Sequence, residues 1–335
     1  MPQQPEGSPD PTLDLFSLAD RSTLPATTRR VIESSTQIQE APPERADFLH
    51  AVLCQVGMPR KLTKERLFER SSGMVSIRLE AGTLFKRGKF VDQPLPYGTR
   101  PRLVMVHISG EAVQTGSREV HIGDSMREFL ITLGIEPSGG PRGGYTMFKK
   151  QMEALAASRL TLGMSEHSRD VTINTQPISR FEAWLTNDGR QKGLWPGVME
   201  LSPEFYDTLT AHAVPLDHRA LGALKHSALA LDIYTWLAHR LCRIRKPNGV
   251  MVSWANMRDQ FGQEYSDPKN FKRKFRQAMR SVCAVYPDAK IEDTPGGLML
   301  HGSKPPIAKT SVLVGCSHSS DGSPAPTSTA TLRAS

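Results

Sequence analysis

Residues Asp267–Ser281 read DPKNFKRKFRQAMRS. Asp267 is placed to cap a first helical turn, and Pro268 fits the first helical position, where its missing N–H costs nothing. Phe271, Phe275, Ala278 and Val282 recur at helical spacing and predict one apolar stripe. An advance of about 100° per residue puts Lys269, Arg273, Arg276 and Arg280 on the opposite face, with Lys272 and Lys274 flanking it. No acid lies between Lys269 and Ser281. Solvated surface helices normally mix signs to form i,i+4 pairs. A helix with one side built for a core and the other uniformly cationic is shaped to lie on phosphate.

Working outward, residues 201–303 read as one unit around that helix. Ser202–Pro203 starts a helix running to about His212, and Asp217 starts a long one to about Ile244. Ser253–Phe261 is a short third helix. The basic helix follows it, and Ala289–Ile291 and Leu298–Leu300 then flank the turn DTPGG at Asp293–Gly297. Residues 44–186 follow a similar plan. Arg45–Gly57 has a helical pattern, Met74–Leu79 is β-prone and Pro94–Pro101 is a turn. Leu103–Thr115 reads as a helix, Ser125–Gly134 as a second with a capping box from Ser125 to Glu128, and Tyr145–Ala157 as a third. Arg159–Ser165 and Arg169–Gln176 pair as a hairpin. Helices followed by a hairpin are the order of a winged helix. The expected fold is therefore α+β, mainly helical, with tandem winged-helix domains.

Residues 1–43 are rich in Pro, Ser, Thr and Gln and predict a disordered tail. Residues 304–335 read the same way, and 187–200, with TNDGRQKGLWPG at 186–197, predict a linker. With 335 residues the chain has room for two domains plus tails. A formal charge of +8 and a pI near 9.4 favour an anionic partner. No run of apolar residues is long enough for a membrane span, and MPQQPEGSPDPT lacks the character of a signal peptide. Cys54, Cys242, Cys283 and Cys316 are scattered, without zinc spacing or disulfide density. A reducing cytoplasm is expected.

In residues 201–303 the working surface is Lys269, Lys272, Arg273, Lys274, Arg276 and Arg280. Arginine reads guanine or clamps phosphate bidentately, and lysine acts as a point charge. On the corresponding earlier helix, Phe148, Met152 and Leu155 face a core. Thr146, Lys149 and Lys150 look outward there, with Arg142 in the loop before them. Arg159 and Arg169 of the hairpin are weaker candidates for backbone contact.

No catalytic centre emerges. The histidines show no metal-ligand pairing, and SGGPRGG at 138–144 lacks the Lys-Ser/Thr ending of a P-loop, reading instead as a flexible turn. There is no G-x-S-x-G elbow. Asp232 and Asp259 stand alone, as surface or ion-paired carboxylates do. Trp184, Trp195, Trp236 and Trp254 are spaced too widely for an aromatic strip. No cofactor or metal is expected, and the chain reads as a binder rather than an enzyme.

Three phrases carry a resemblance: LPYGTRPRL (Leu95–Leu103), SREVHIGDSMREFLITLGI (Ser117–Ile135) and LSPEFYDTLTAHAVPLDHRALGALKHSALALDIYTWLAHRL (Leu201–Leu241). In the last, the spacing of Phe205–Tyr206, Val214–Pro215, Ser227, Asp232, Tyr234, Trp236 and Arg240 resembles the signature of RepA-type plasmid replication initiators. The resemblance spans roughly Ala46–Gly302. It implies binding to repeated double-stranded DNA sites at a plasmid origin, origin opening, and recruitment of host replication proteins including the replicative helicase. Self-association on adjacent repeats is a further expectation. A transcriptional repressor needs the same DNA-binding surface and is the alternative reading. A nicking or primase-like enzyme is a more distant one.

Overall fold

The computed structural model describes residues 24–308 apart from 87, 167–168, 181–196 and 263. Of these, 44% are helical and 25% lie in strands, so helix predominates in a mixed α/β chain.

The first element is helix α1 (Ala26–Glu40), which packs against elements of the second half. This corrects the expectation of a disordered tail through residue 43. Val31, Ser34 and Ile38 form a narrow stripe that turns inward, too sparse to register in composition but sufficient where a partner surface is waiting. Arg219 donates to the carbonyls of Gln37 and Ala41 at 2.8 and 2.9 Å, satisfying carbonyls at the end of α1. Residues 1–23 lie outside the described residues.

Arg45–Gly57, expected to be helical, is strand β1 (Ala46–His50) followed by the short helix α2 (Ala51–Gln55). Two hairpins follow, from β2 (Leu67–Ser72) to β3 (Val75–Glu80) and from β4 (Thr83–Lys86) to β5 (Lys89–Asp92). Helix α3 (Thr99–Thr115) is buried along most of its length, as a central helix must be. It leads to β6 (Glu119–His121), α4 (Met126–Thr132) and α5 (Gly144–Ala157). The Ser125 hydroxyl accepts from the Glu128 N–H at 3.1 Å, while the Glu128 carboxylate reaches the N–H of Asp124 rather than that of Ser125. Strands β7 (Arg159–Glu166) and β8 (Arg169–Thr175) close a four-stranded antiparallel sheet of order β2-β3-β7-β8.

Strand β9 (Ile178–Arg180) pairs with β10 (Val198–Leu201), and β10 pairs in turn with β6. The C-terminal end of the expected linker is therefore sheet, and 187–196 lie outside the described residues. After α6 (Pro203–Ala211) comes β11 (Ala213–Asp217), which runs antiparallel to β1 with Ala46 opposite Asp217 and His50 opposite Ala213. The expected long helix at 217–244 is instead α7 (His218–Leu224), then α8 (Ala228–Arg240) and a 3₁₀ turn at Leu241–Arg243. Ser227 ends the continuity by accepting from the N–H of Ala230 at 3.2 Å, a new N-cap. The remaining elements are β12 (Val250–Ser253), α9 (Trp254–Phe261), α10 (Pro268–Val285), β13 (Ile291–Thr294) and β14 (Gly297–Leu300). Their sheet order is β12-β14-β13.

The two halves share the order of helices and closing hairpin but not the strand pairing. In the second half β12, ahead of α9, pairs with the hairpin strand β14. In the first half β6, ahead of α4, pairs with β10 instead. One apolar core runs from Leu49 and Val52 through Phe148 and Phe205 to Trp236 and Phe275. Past β14, the Tyr286 hydroxyl donates to the Lys304 carbonyl at 2.7 Å and Ile307 is buried, so 304–308 pack on the fold where a disordered tail was expected. Residues 309–335 lie outside the described residues.

Candidate nucleic-acid interface

Asp267 accepts from the N–H groups of Lys269 and Asn270, both at 3.0 Å, and so fixes the start of α10. Phe271, Phe275, Ala278 and Val282 are buried, with Met279 and Val285 beside them. Beneath the helix, Phe275 lies 5.9 Å from Trp254 and 5.6 Å from Phe261, and Phe261 lies 5.3 Å from Trp236. These edge-to-face and tilted contacts set the helix rigidly on its core. Lys269, Arg273, Lys274 and Arg280 are exposed on the other side.

Two members of the expected surface are held differently. Lys272 and Arg276 sit over the Trp254 ring, at 4.7 and 5.1 Å from its centroid. Arg276 also pairs with Asp293 of β13, Nε to Oδ2 at 2.5 Å and Nη2 to Oδ1 at 2.7 Å. The Asp293 hydrogen bond raises the Arg276 pKa above its ordinary value. Arg276 thus fastens the β13–β14 hairpin to the helix. Sequence reasoning placed it correctly on the helix and missed its partner, because Asp293 lies on β13 of the closing hairpin, which helical spacing does not reach.

Around α5, Phe148, Met152 and Leu155 are buried as their spacing predicts. Arg142 and Lys150 are exposed, and Lys149 is half-buried. Thr146, expected to look outward, turns its hydroxyl back to donate to the Gly140 carbonyl at 2.8 Å. The Gly144 N–H donates to the Ser138 hydroxyl at 2.9 Å and the Tyr145 N–H to the Ser138 carbonyl at 3.2 Å. The glycine-rich stretch is therefore a hydrogen-bonded start to α5 rather than a loose turn. Arg159 and Arg169 are exposed on the β7–β8 hairpin.

The charge cluster that sequence reasoning missed lies beneath this surface. Asp232 on α8 accepts from Arg102 on α3, Nε to Oδ1 at 2.6 Å and Nη2 to Oδ2 at 2.9 Å, with both residues buried. Arg102 also donates to the carbonyls of Met58, Pro59 and Gly98. Arg60 approaches Asp232 at 3.5 Å and pairs with Glu264 at 3.1 Å, three residues ahead of the α10 cap. Arg60 also donates to the Phe261 carbonyl. Burial, with the charge of Arg60 adding, pulls the neighbouring Arg70 down to about 10. Gly57 is required here, since a Cβ on it would stand 2.6 Å from the Asp232 carboxylate. A lone acid inside the apolar run ALALDIYTWL was the available signal, because such a group is buried only with a partner.

Residues 95–256 match the family model described as plasmid encoded RepA protein. Over that span, a little under half of the chain, the sequence is similar to that family, and the match includes all three phrases that carry the resemblance. It ends before α10, so the cationic helix stands on its own geometry. No curated protein matches the chain. Among solved structures, domains 2 and 3 of RctB are similar at 10% identity and a TM-score of 0.45, covering 75% of this chain and 96% of that one.

Proposed function

We propose that this chain, similar to the RepA family over residues 95–256, is a plasmid replication initiator that binds repeated double-stranded sites at its origin. In this reading, α8, β12, α9, α10 and the β13–β14 hairpin form a winged-helix unit whose recognition helix is α10. The observation that carries the reading is the two-sided character of α10. It sinks Phe271, Phe275, Ala278 and Val282 and leaves Lys269, Arg273, Lys274 and Arg280 in solvent. Such a helix can enter a major groove with its first turn toward base edges and the rest against phosphate. The helix α5, with Arg142, Thr146, Lys149 and Lys150 at its start, is the corresponding element of the first half and contacts a neighbouring turn of the same site. Several copies on adjacent repeats then distort a nearby A·T-rich stretch, with the bending energy offset by the added contacts. Recruitment of host replication proteins, the replicative helicase among them, follows on the opened origin.

Binding of the purified protein to fragments of its own replicon, with competitor DNA at about 150 mM salt, tests this reading. Retention of one repeat-containing fragment supports origin recognition. Uniform binding abolished by competitor reduces α10 to a nonspecific phosphate grip and sinks it. Supplying the protein in trans to a replicon bearing only that fragment separates an initiator from a repressor, which cannot sustain replication.

A further inference from the structure

Strands β4 and β5 form a two-stranded ribbon with Leu84 opposite Val91, Phe85 opposite Phe90 and Lys86 opposite Lys89. Side chains alternate across a strand, so one face carries Leu84, Lys86, Lys89 and Val91 and the other Thr83, Phe85, Phe90 and Asp92. The first face is anchored to α5. Lys86 pairs with the buried Glu153 of that helix at 2.6 Å, and Leu84 and Val91 are half-buried. At the base of the ribbon, Gly82 lies so close to α5 that a Cβ on it would fall 1.9 Å from the Ala157 carbonyl oxygen. The ribbon is therefore held along the helix that carries Lys149 and Lys150.

Its other face presents Phe85 and Phe90 to solvent at 61% and 75% exposure, their rings 5.3 Å apart and inclined by 65°. A cross-strand aromatic pair stabilises a hairpin by about 0.2–1 kcal/mol, whereas burying a phenylalanine yields roughly 1.5–3 kcal/mol. Stability alone selects inward rings. The exposed Lys89 stands at the turn, one residue before Phe90 and on the ribbon's other face, and the acid on the aromatic face, Asp92, is paired with Arg66 at 3.4 Å at the far end. Solvent-facing rings on a firmly seated ribbon whose turn carries an exposed cation match the chemistry of unpaired bases on a charged backbone that passes over the tip. A lysine at the edge of the patch favours this polyanion over a second copy of the basic chain.

We infer that the β4–β5 ribbon takes unpaired bases of single-stranded DNA, stacking them on Phe85 and Phe90 with Lys89 against phosphate. The inference rests on the nucleic-acid reading of the chain but uses a surface separate from α10. The test titrates full-length protein into labelled oligothymidylate and, in parallel, into a labelled duplex from its own replicon. The Phe85→Ala/Phe90→Ala variant should lose oligothymidylate affinity by about tenfold or more and keep its duplex affinity. The Phe85→Trp/Phe90→Trp variant should retain both, with added tryptophan fluorescence quenched by oligothymidylate alone. Wild-type indifference to oligothymidylate, or an alanine variant that binds it unchanged, overturns the inference. So does a fall in sedimenting mass of the alanine variant, which would assign the rings to self-association. Duplex binding that fails in wild type while oligothymidylate binding survives would sink the α10 reading and leave the ribbon standing.

Discussion

His50 is a buried imidazole with both nitrogens committed. Nδ1 accepts from the Val52 N–H at 3.1 Å, capping α2, and Nε2 meets the Thr208 hydroxyl at 3.1 Å. Only a neutral ring with its proton on Nε2 satisfies both contacts. Burial, with His212 nearby, lowers its pKa from 6.5 to about 4. Above pH 6.5 the ring is neutral folded or unfolded and contributes no pH dependence. As pH falls toward 4 the unfolded chain takes up a proton that the fold refuses, so stability declines by about 3 kcal/mol across that window. Urea titrations at pH 7 and pH 5 should show about 2 kcal/mol of this loss, and His50→Gln should flatten it at some cost at pH 7. At Asp232 the charge itself is at stake. Asp232→Ala leaves Arg102 buried without its carboxylate and should cost about 3–5 kcal/mol, read as a lowered denaturation midpoint. Neither residue could be paired from sequence, because Arg102 and Asp232 are brought together by tertiary packing. The Asp267 cap was legible because the N–H groups that donate to it lie two and three residues on.

Helices with dense apolar spacing declare themselves, and α3, α5, α6 and α10 stand within a few residues of their expected bounds. The apolar period also runs straight through Lys225–Ser227, which hides the break between α7 and α8 that Ser227 makes by capping. β1 and β11 were missed for a related reason: each is short and pairs with a strand more than a hundred and fifty residues away, where no local turn announces the partner. On α10 the structure separates cations that the helical wheel treats alike. Arg273→Ala/Lys274→Ala removes two exposed charges and should lower the salt dependence of duplex binding by about two in slope, with the melting temperature unchanged. Arg276→Ala should change the slope less, since its guanidinium is engaged by Asp293 and Trp254. Its pair is half-exposed, so a double-mutant cycle with Asp293→Ala should return less than about 1 kcal/mol. Equal slope changes for Arg273 and Arg276 would return Arg276 to the phosphate surface.

Across the whole molecule, composition separates two halves and the fold stitches them together. β1 completes a sheet with β11, α2 packs on α8, and α1 lies against α7 and α10. Arg60 and Arg102 of the first half close on Asp232 and Glu264 of the second. The cationic helix is thus supported on its inner side by residues from both halves, which fixes α10 relative to the helix α3 beneath the first half. Such a chain should melt as one cooperative unit, its calorimetric enthalpy equal to the van't Hoff value, and Asp232→Ala should lower that single transition without splitting it. A fragment beginning at Leu201 lacks β1 and α2 and leaves Asp232 and Glu264 without Arg102 and Arg60, so it should show no cooperative transition by circular dichroism. Two resolved transitions in the intact chain would mean that the halves fold independently. The ion pairs between them would then be a joint rather than part of one core.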